Sequence, residues 1–242
     1  EVEHPLSIDA EGQMLASVMA KKHSVSANGV LIDIPLGKTA KVKGWNRAKH
    51  LKKMFKLIGK RMKMEVRVII TDGSQPIGRG IGPLLEAEDV MAVLRNDPLA
   101  PSDLRKKSLH MAGILLEMTG KYSKRKARKI AQEMLESGQA LKKMNQIIKE
   151  QGKQKKLKLG EHRYLMKCGK IGRVKEIDNE IIAKIARIAG APLDKGAGIY
   201  LEKKVKEITK KGDLLYTIYA ESKFKLDLAV EFARKNKGYL IS

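Results

Sequence analysis

The stretch from Met64 to Leu94 constrains the fold more than any other part of the chain. Val66-Arg67-Val68-Ile69-Ile70-Thr71-Asp72 is dominated by β-branched residues, which suits a strand buried in a sheet. Gly73-Ser74-Gln75-Pro76-Ile77-Gly78-Arg79-Gly80-Ile81-Gly82-Pro83 then interrupts it. The two prolines remove backbone donors and the glycines permit positive φ, so this is a shaped loop at the carboxyl end of a strand. Helix resumes at Leu84, with Leu84, Leu85, Val90 and Leu94 as the expected buried stripe and Glu86, Glu88 and Asp89 favouring the amino end. In open α/β sheets, ligands bind at loops of this kind.

The residues before this stretch repeat the alternation. Pro5-Leu6-Ser7-Ile8-Asp9 reads as a helix entry capped by Ser7 or Asp9, followed by an apolar face of Met14, Leu15, Val18 and Met19 and a basic end at Lys21-Lys22-His23. Val30 to Leu36 is a short apolar run between Asn28-Gly29 and Gly37-Lys38-Thr39, hence a buried strand. From Asn46 to Met62 a helix turns Ala48, Leu51, Met54, Phe55 and Ile58 inward, with Trp45 read as packing and His50 as surface. Helix, strand, helix, strand, loop, helix implies a parallel sheet with right-handed crossovers.

Beyond Asp97-Pro98, three helices are expected: 104–118 capped by Ser102, 124–137 opened by Ser123, and 140–151. His110 reads as structural. Gly152-Lys153-Gln154-Lys155-Lys156 is taken as the domain boundary, dividing the chain into 1–152 and 153–242. After it the pattern becomes α+β: a short strand at 169–177, a helix at 179–189, strands at 198–201, around Val205 and Ile208 and at 214–220, and a last helix at 224–235. The fold class is α/β, a partial parallel sheet with helices on both faces, followed by a smaller α+β domain.

Charge and composition bound the function. Fifty Lys and Arg against 27 Asp and Glu give a net charge of +23, enough to attract polyanions. A nucleic-acid binder wants basic residues interleaved with aromatics or a known module, yet aromatics are 4% of the chain and no zinc-finger, RNA-recognition or basic-zipper pattern appears. Nucleic acid is therefore the lesser reading. Cys168 is the only cysteine, so no internal disulfide or thiolate cluster can form, and its place on a strand approach suggests burial rather than reactivity. No metal site is expected, nor any membrane span or secretory leader, and a cytoplasmic location follows. The chain opens on Glu1 without Met, as expected of a processed protein or a piece of a longer one.

Thr71-Asp72-Gly73-Ser74-Gln75-Pro76-Ile77-Gly78-Arg79-Gly80-Ile81-Gly82 followed by Leu85-Glu86-Ala87 resembles the corresponding segment of the thymidine and pyrimidine-nucleoside phosphorylases, and in particular their AMP phosphorylase branch. Ala16-Ser17-Val18-Met19-Ala20-Lys21-Lys22, a small-residue loop and Leu31-Ile32-Asp33-Ile34-Pro35-Leu36-Gly37 form a second match. Gly196-Ala197-Gly198-Ile199, Lys203-Lys204-Val205 and Lys210-Lys211-Gly212-Asp213-Leu214-Leu215 form a third, similar to the family's C-terminal α+β domain. That domain folds like a biotinyl carrier module, but no Met-Lys-Met tip is present here. The resemblance implies phosphorolysis of nucleoside 5′-monophosphates, with inorganic phosphate as co-substrate, no cofactor, and a homo-oligomer in the complete enzyme. It also implies that Ser17 and Lys21 contact the base. Four residues apart, they share a helix face, which is expected at the carboxyl mouth of the sheet. An Arg that accompanies them in the pyrimidine enzymes falls near Val2, which favours the nucleotide-using branch. The acidic proton donor and the phosphate-binding glycines would precede Glu1, so no catalytic residue is assigned and this chain alone is expected to be inactive. Gly78-Arg79-Gly80-Ile81-Gly82 lacks both common phosphate-loop patterns and reads as a tight connection that shapes the cleft.

Overall fold

The computed structural model describes residues 11–152 and 157–242. The Ser7 or Asp9 cap, Val2 and most of the expected boundary at 152–156 lie outside the described residues.

The first part is built on two parallel strands. α1 (Glu11–His23) leads into β1 (Gly29–Leu36), α2 (Trp45–Arg61) returns, and β2 (Glu65–Asp72) pairs with β1 from Gly29↔Glu65 to Leu36↔Asp72. Val30, Ile32 and Ile34 of β1 and Val68 of β2 are buried with Leu15 and Met19 of α1 and Ala48, Leu51 and Phe55 of α2. This is the burial that the sequence periodicity of these elements implies. α2 lies close to the sheet because Gly59 has no side chain where Val66 sits.

Next come β3 (Gly80–Ile81), α3 (Pro83–Leu94), α4 (Ser102–Met118), α5 (Lys124–Glu136) and α6 (Gln139–Glu150). α4 covers the other face of the parallel pair. Lys107 of α4 reaches Asp33 of β1 at 2.5 Å, and Glu117 meets Arg67 of β2 at 3.1 Å.

The last part comprises β4 (His162–Lys167), β5 (Gly172–Ile177), α7 (Asn179–Ile188), β6 (Gly198–Leu201), β7 (Ile208–Thr209), β8 (Leu214–Ala220), α8 (Lys223–Lys235) and β9 (Tyr239–Ile241). It holds a four-stranded sheet in the order β3-β6-β8-β4 and a smaller one, β7-β5-β9. Ile182, Ile185, Leu226 and Ala229 of the two helices pack on Ile199, Tyr216 and Ile218. The expected mixed α/β architecture is present, with β3, from the first part of the chain, as an edge of the second part's main sheet.

Several local expectations need correction. In α3 the buried positions are Leu85, Asp89 and Val93, whereas Val90 is exposed. Trp45 is 61% exposed rather than packed. The Ser102 side chain makes no capping bond; Asp103 Oδ1 accepts from the Leu104 amide instead. Val205 lies in no strand. Cys168 is buried, as expected, with Sγ 3.0 Å from the Lys170 carbonyl oxygen. Among the described residues no helix is long and apolar enough to cross a membrane.

Candidate functional site

Two loops leave the carboxyl edge of the parallel pair, and they touch. The Gly73 amide donates to Leu36 O at 2.9 Å, and a Cβ on Gly37 would collide with the Gly73 carbonyl. Asp72 Oδ1 accepts from the Ser74 amide at 2.9 Å, which turns the chain just past β2. The start of α7 sits on this junction. Asn179 Nδ2 donates to Gly73 O and to Thr39 Oγ1, each at 3.0 Å, and the Asn179 amide also donates to Thr39 Oγ1. Beside it, Lys38 Nζ lies 2.8 Å from Glu176.

The Gln-Pro-x-Gly-Arg segment continues the same docking. Gln75 Oε1 accepts from the Val205 amide at 2.9 Å. Lys204 Nζ donates to the carbonyls of Pro76 and Gly78 and lies 3.0 Å from Asp103. Only 12% of the Lys204 side chain is exposed, and burial lowers its pKa against the opposing pull of Asp103. Arg79 Nη1 donates to the carbonyls of Leu201 and Glu202 at 2.9 and 2.8 Å, after which Gly80-Ile81 pairs with β6. Gly78 turns at φ 71°, a left-handed geometry that suits glycine, and Asp89 fills the space where its Cβ would stand. Asp89 Oδ2 accepts from the amides of Arg79 and Gly80 at 2.6 and 2.8 Å. This segment is therefore a strap between the two parts of the chain, more than the strand-to-helix connection read from sequence.

Asp33, Thr71 and Lys107 form a cluster that sequence reasoning missed. Thr71 Oγ1 donates to Asp33 Oδ1 at 2.7 Å while Lys107 holds Oδ2. Both oxygens being engaged, this carboxylate ties α4 to the sheet.

Ser17 and Lys21 are both exposed on α1, one turn apart and opposite the buried Leu15 and Met19. Lys21 Nζ has no partner among the described residues. Their location differs from the expected mouth of the sheet. The Ala27 amide bonds Lys22 O, which folds the end of α1 against the start of β1, while Glu11 at the other end meets His50 near the start of α2. Lys21 thus lies toward the amino-terminal edge. The structure brings Ser17 and Lys21 together but does not bring the 73–82 loop to them. Sequence reasoning also missed Asn179, Lys204 and Asp89, whose roles are to anchor that loop. Among the described residues no cluster of three or more His, Cys, Asp or Glu side chains could hold a metal ion.

Residues 173–240 match the family model described as "Pyrimidine nucleoside phosphorylase C-terminal domain". Along nearly its whole length the chain is similar to proteins described as putative thymidine phosphorylases. It is 46% identical to that of Methylococcus capsulatus over 241 residues, 99% of this chain and 47% of the relative. It is 47% identical to that of Rhodopseudomonas palustris over 242 residues, 100% and 47%. For that of Bradyrhizobium diazoefficiens the figures are 48% over 241 residues, 99% and 47%. The chain is similar to members of the thymidine/pyrimidine nucleoside phosphorylase family. It spans about half the length of the curated relatives it matches. The segment that matches the family model begins within β5, and the 75–82 strap docks directly on it.

Proposed function

We propose that the protein carrying this chain is a phosphorolytic pentosyltransferase acting on nucleoside 5′-monophosphates. An oxygen of inorganic phosphate forms a bond to C1′ as the C1′–N bond breaks. The electron pair leaves with the base, which takes up a proton, and ribose 1,5-bisphosphate is the other product. Such a reaction gains from a positioned nucleophile and from charge stabilisation of an oxocarbenium-like transition state. The family resemblance alone assigns Lys21, with Ser17 beside it, to the base, in a cleft on the α1 side rather than at the carboxyl mouth of the sheet, where an ammonium offsets negative charge developing on the leaving group. Kinship along 99% of the chain supports the reaction class. For the nucleotide substrate, the supporting observation is Val2 near the place where the pyrimidine enzymes carry an arginine. The complete enzyme is proposed to be a homo-oligomer.

The names of the relatives favour a second reading, a thymidine or pyrimidine nucleoside phosphorylase acting on nucleosides without a 5′-phosphate. Incubating the full-length protein with phosphate and either AMP, CMP and UMP or the matching nucleosides and thymidine, then measuring free base, separates the two. Release from nucleotides alone supports the first reading, release from nucleosides alone the second, and no release from any substrate overturns both. Losing one charge-assisted hydrogen bond to the leaving base should make Lys21→Ala about 10- to 100-fold slower with an unchanged melting temperature. A parallel loss of activity and melting temperature would mark Lys21 as structural.

A further inference from the structure

Away from the 73–82 strap, the outer edge of β2 opens onto a cavity of about 480 Å³. Consecutive residues Val66, Arg67, Val68 and Ile69 line it, so it follows the strand's edge and reaches both faces. That edge has no pairing partner among the described strands, and its backbone groups therefore open onto the cavity. α2 forms one wall, and α4 and α5 the other.

The charged side chains in the lining are cations except for Glu117 of α4. Lys56 comes from α2, Lys124 and Arg128 from α5, and Arg67 from the strand. The carboxylate lining the cavity, Glu117, is already engaged by Arg67. Lys56, Lys124 and Arg128 have no ion-pair partner among the described residues. The Arg128 stem passes close to α4: Gly113 has no side chain, and a Cβ there would come within 3.1 Å of Arg128 Cγ. The α5 amino terminus, where Ser123 makes no side-chain cap, adds donors beside Lys124. Val66, Val68, Ile69 and Ile114 supply the apolar part of the lining.

We infer that this cavity is a binding site for a small organic phosphate, its multiply charged phosphate group held by Lys56, Lys124 and Arg128 and its apolar moiety by the aliphatic lining. Three uncompensated cations around one cavity match a multivalent anion better than a single carboxylate. The volume falls within the range of small-molecule sites. His110 is the one aromatic ring in its lining, so it does not offer the series of stacking platforms along which a nucleic-acid strand runs. This inference stands apart from the reading of Lys21, which lies on α1 outside the cavity.

ATP serves as the probe, titrated calorimetrically at moderate salt, with pyrophosphate, adenosine and a single-stranded oligonucleotide in parallel. Losing two or more charge-assisted bonds should weaken ATP binding by at least about tenfold in Lys56→Ala/Lys124→Ala/Arg128→Ala. A control removing as many exposed charges elsewhere, Lys170→Ala/Lys211→Ala/Lys237→Ala, should leave it unchanged, as should Ser17→Ala/Lys21→Ala. Hydrogen exchange of the Val66–Ile69 amides should slow when ATP is added, and pyrophosphate should bind more weakly than ATP. Equal weakening in the two lysine-rich triple variants, binding abolished by the Ser17/Lys21 variant, or no ATP binding at all would overturn the inference. Tighter, cavity-dependent binding of the oligonucleotide would overturn it in favour of a nucleic-acid surface. Failure of the phosphorolysis assay leaves this measurement intact, so the two proposals fall separately.

Discussion

Replacing Asp89 by alanine tests whether the strap is held from beneath. The residue is 8% exposed, and its Oδ2 is the acceptor for two consecutive amides, Arg79 at 2.6 Å and Gly80 at 2.8 Å. Hydrogen bonds to a charged acceptor contribute about 1.5–3 kcal/mol each, so the pair is worth about 3–6 kcal/mol before solvent is considered. Water entering the space left by the carboxylate would recover part of this, leaving a destabilisation of about 3 kcal/mol for Asp89→Ala. Asp89→Asn keeps an oxygen that can face both amides and loses only the charge assistance, about 1 kcal/mol. Urea unfolding gives the total, and hydrogen exchange locates it. The Arg79, Gly80 and Leu201 amides should lose protection first, because Leu201 N bonds Arg79 O and β3 is an edge of the second part's sheet. Refutation would be an alanine variant as stable as the wild type, with those amides still protected.

Two further perturbations test the packing around the strap and the C-terminal sheets. Gly37→Ala should cost about 2 kcal/mol by urea midpoint, because the added methyl collides with the Gly73 backbone; an unshifted midpoint would mean that the two loops can part freely. The Asp213 carboxyl is held below its usual range, first by the Lys210 amide and then by Lys203. A depressed folded-state pKa gives stability that is complete above the unfolded value and lost as pH falls through the folded one. Asp213→Asn should therefore flatten the stability profile below about pH 4, and an unaltered acid limb would contradict the assignment.

The parts of the fold legible in the sequence are those set by hydrophobic period. β1, α2 and β2 announce themselves because each must bury one face, and Ile32, Leu51 and Val68 do so. Position 89 was not legible: helical periodicity favoured Val90, but two loop amides need an acceptor there, and the hydrogen bonds outweigh the apolar stripe. Lys204, in a Lys-Lys pair of a lysine-rich chain, carries no local sign that it will be buried under carbonyls from residues more than a hundred positions away. β4 was missed because only Met166 of its six residues is buried, and β9 because it has three residues. For the candidate site, the shared face of Ser17 and Lys21 followed from their spacing. Which end of the sheet they approach did not, since that depends on the direction in which α1 packs.

The pairing of Gly80-Ile81 with Tyr200 and Ile199 makes the two parts share a sheet. A piece cut at residue 173, where the family model begins, would lose both outer strands of that sheet, β3 and β4. Its raw margins at β6 and β8 would then recruit neighbouring molecules. The autonomous unit is thus larger than the segment the family model covers, and one of its two borders is sewn in from nearly a hundred residues upstream.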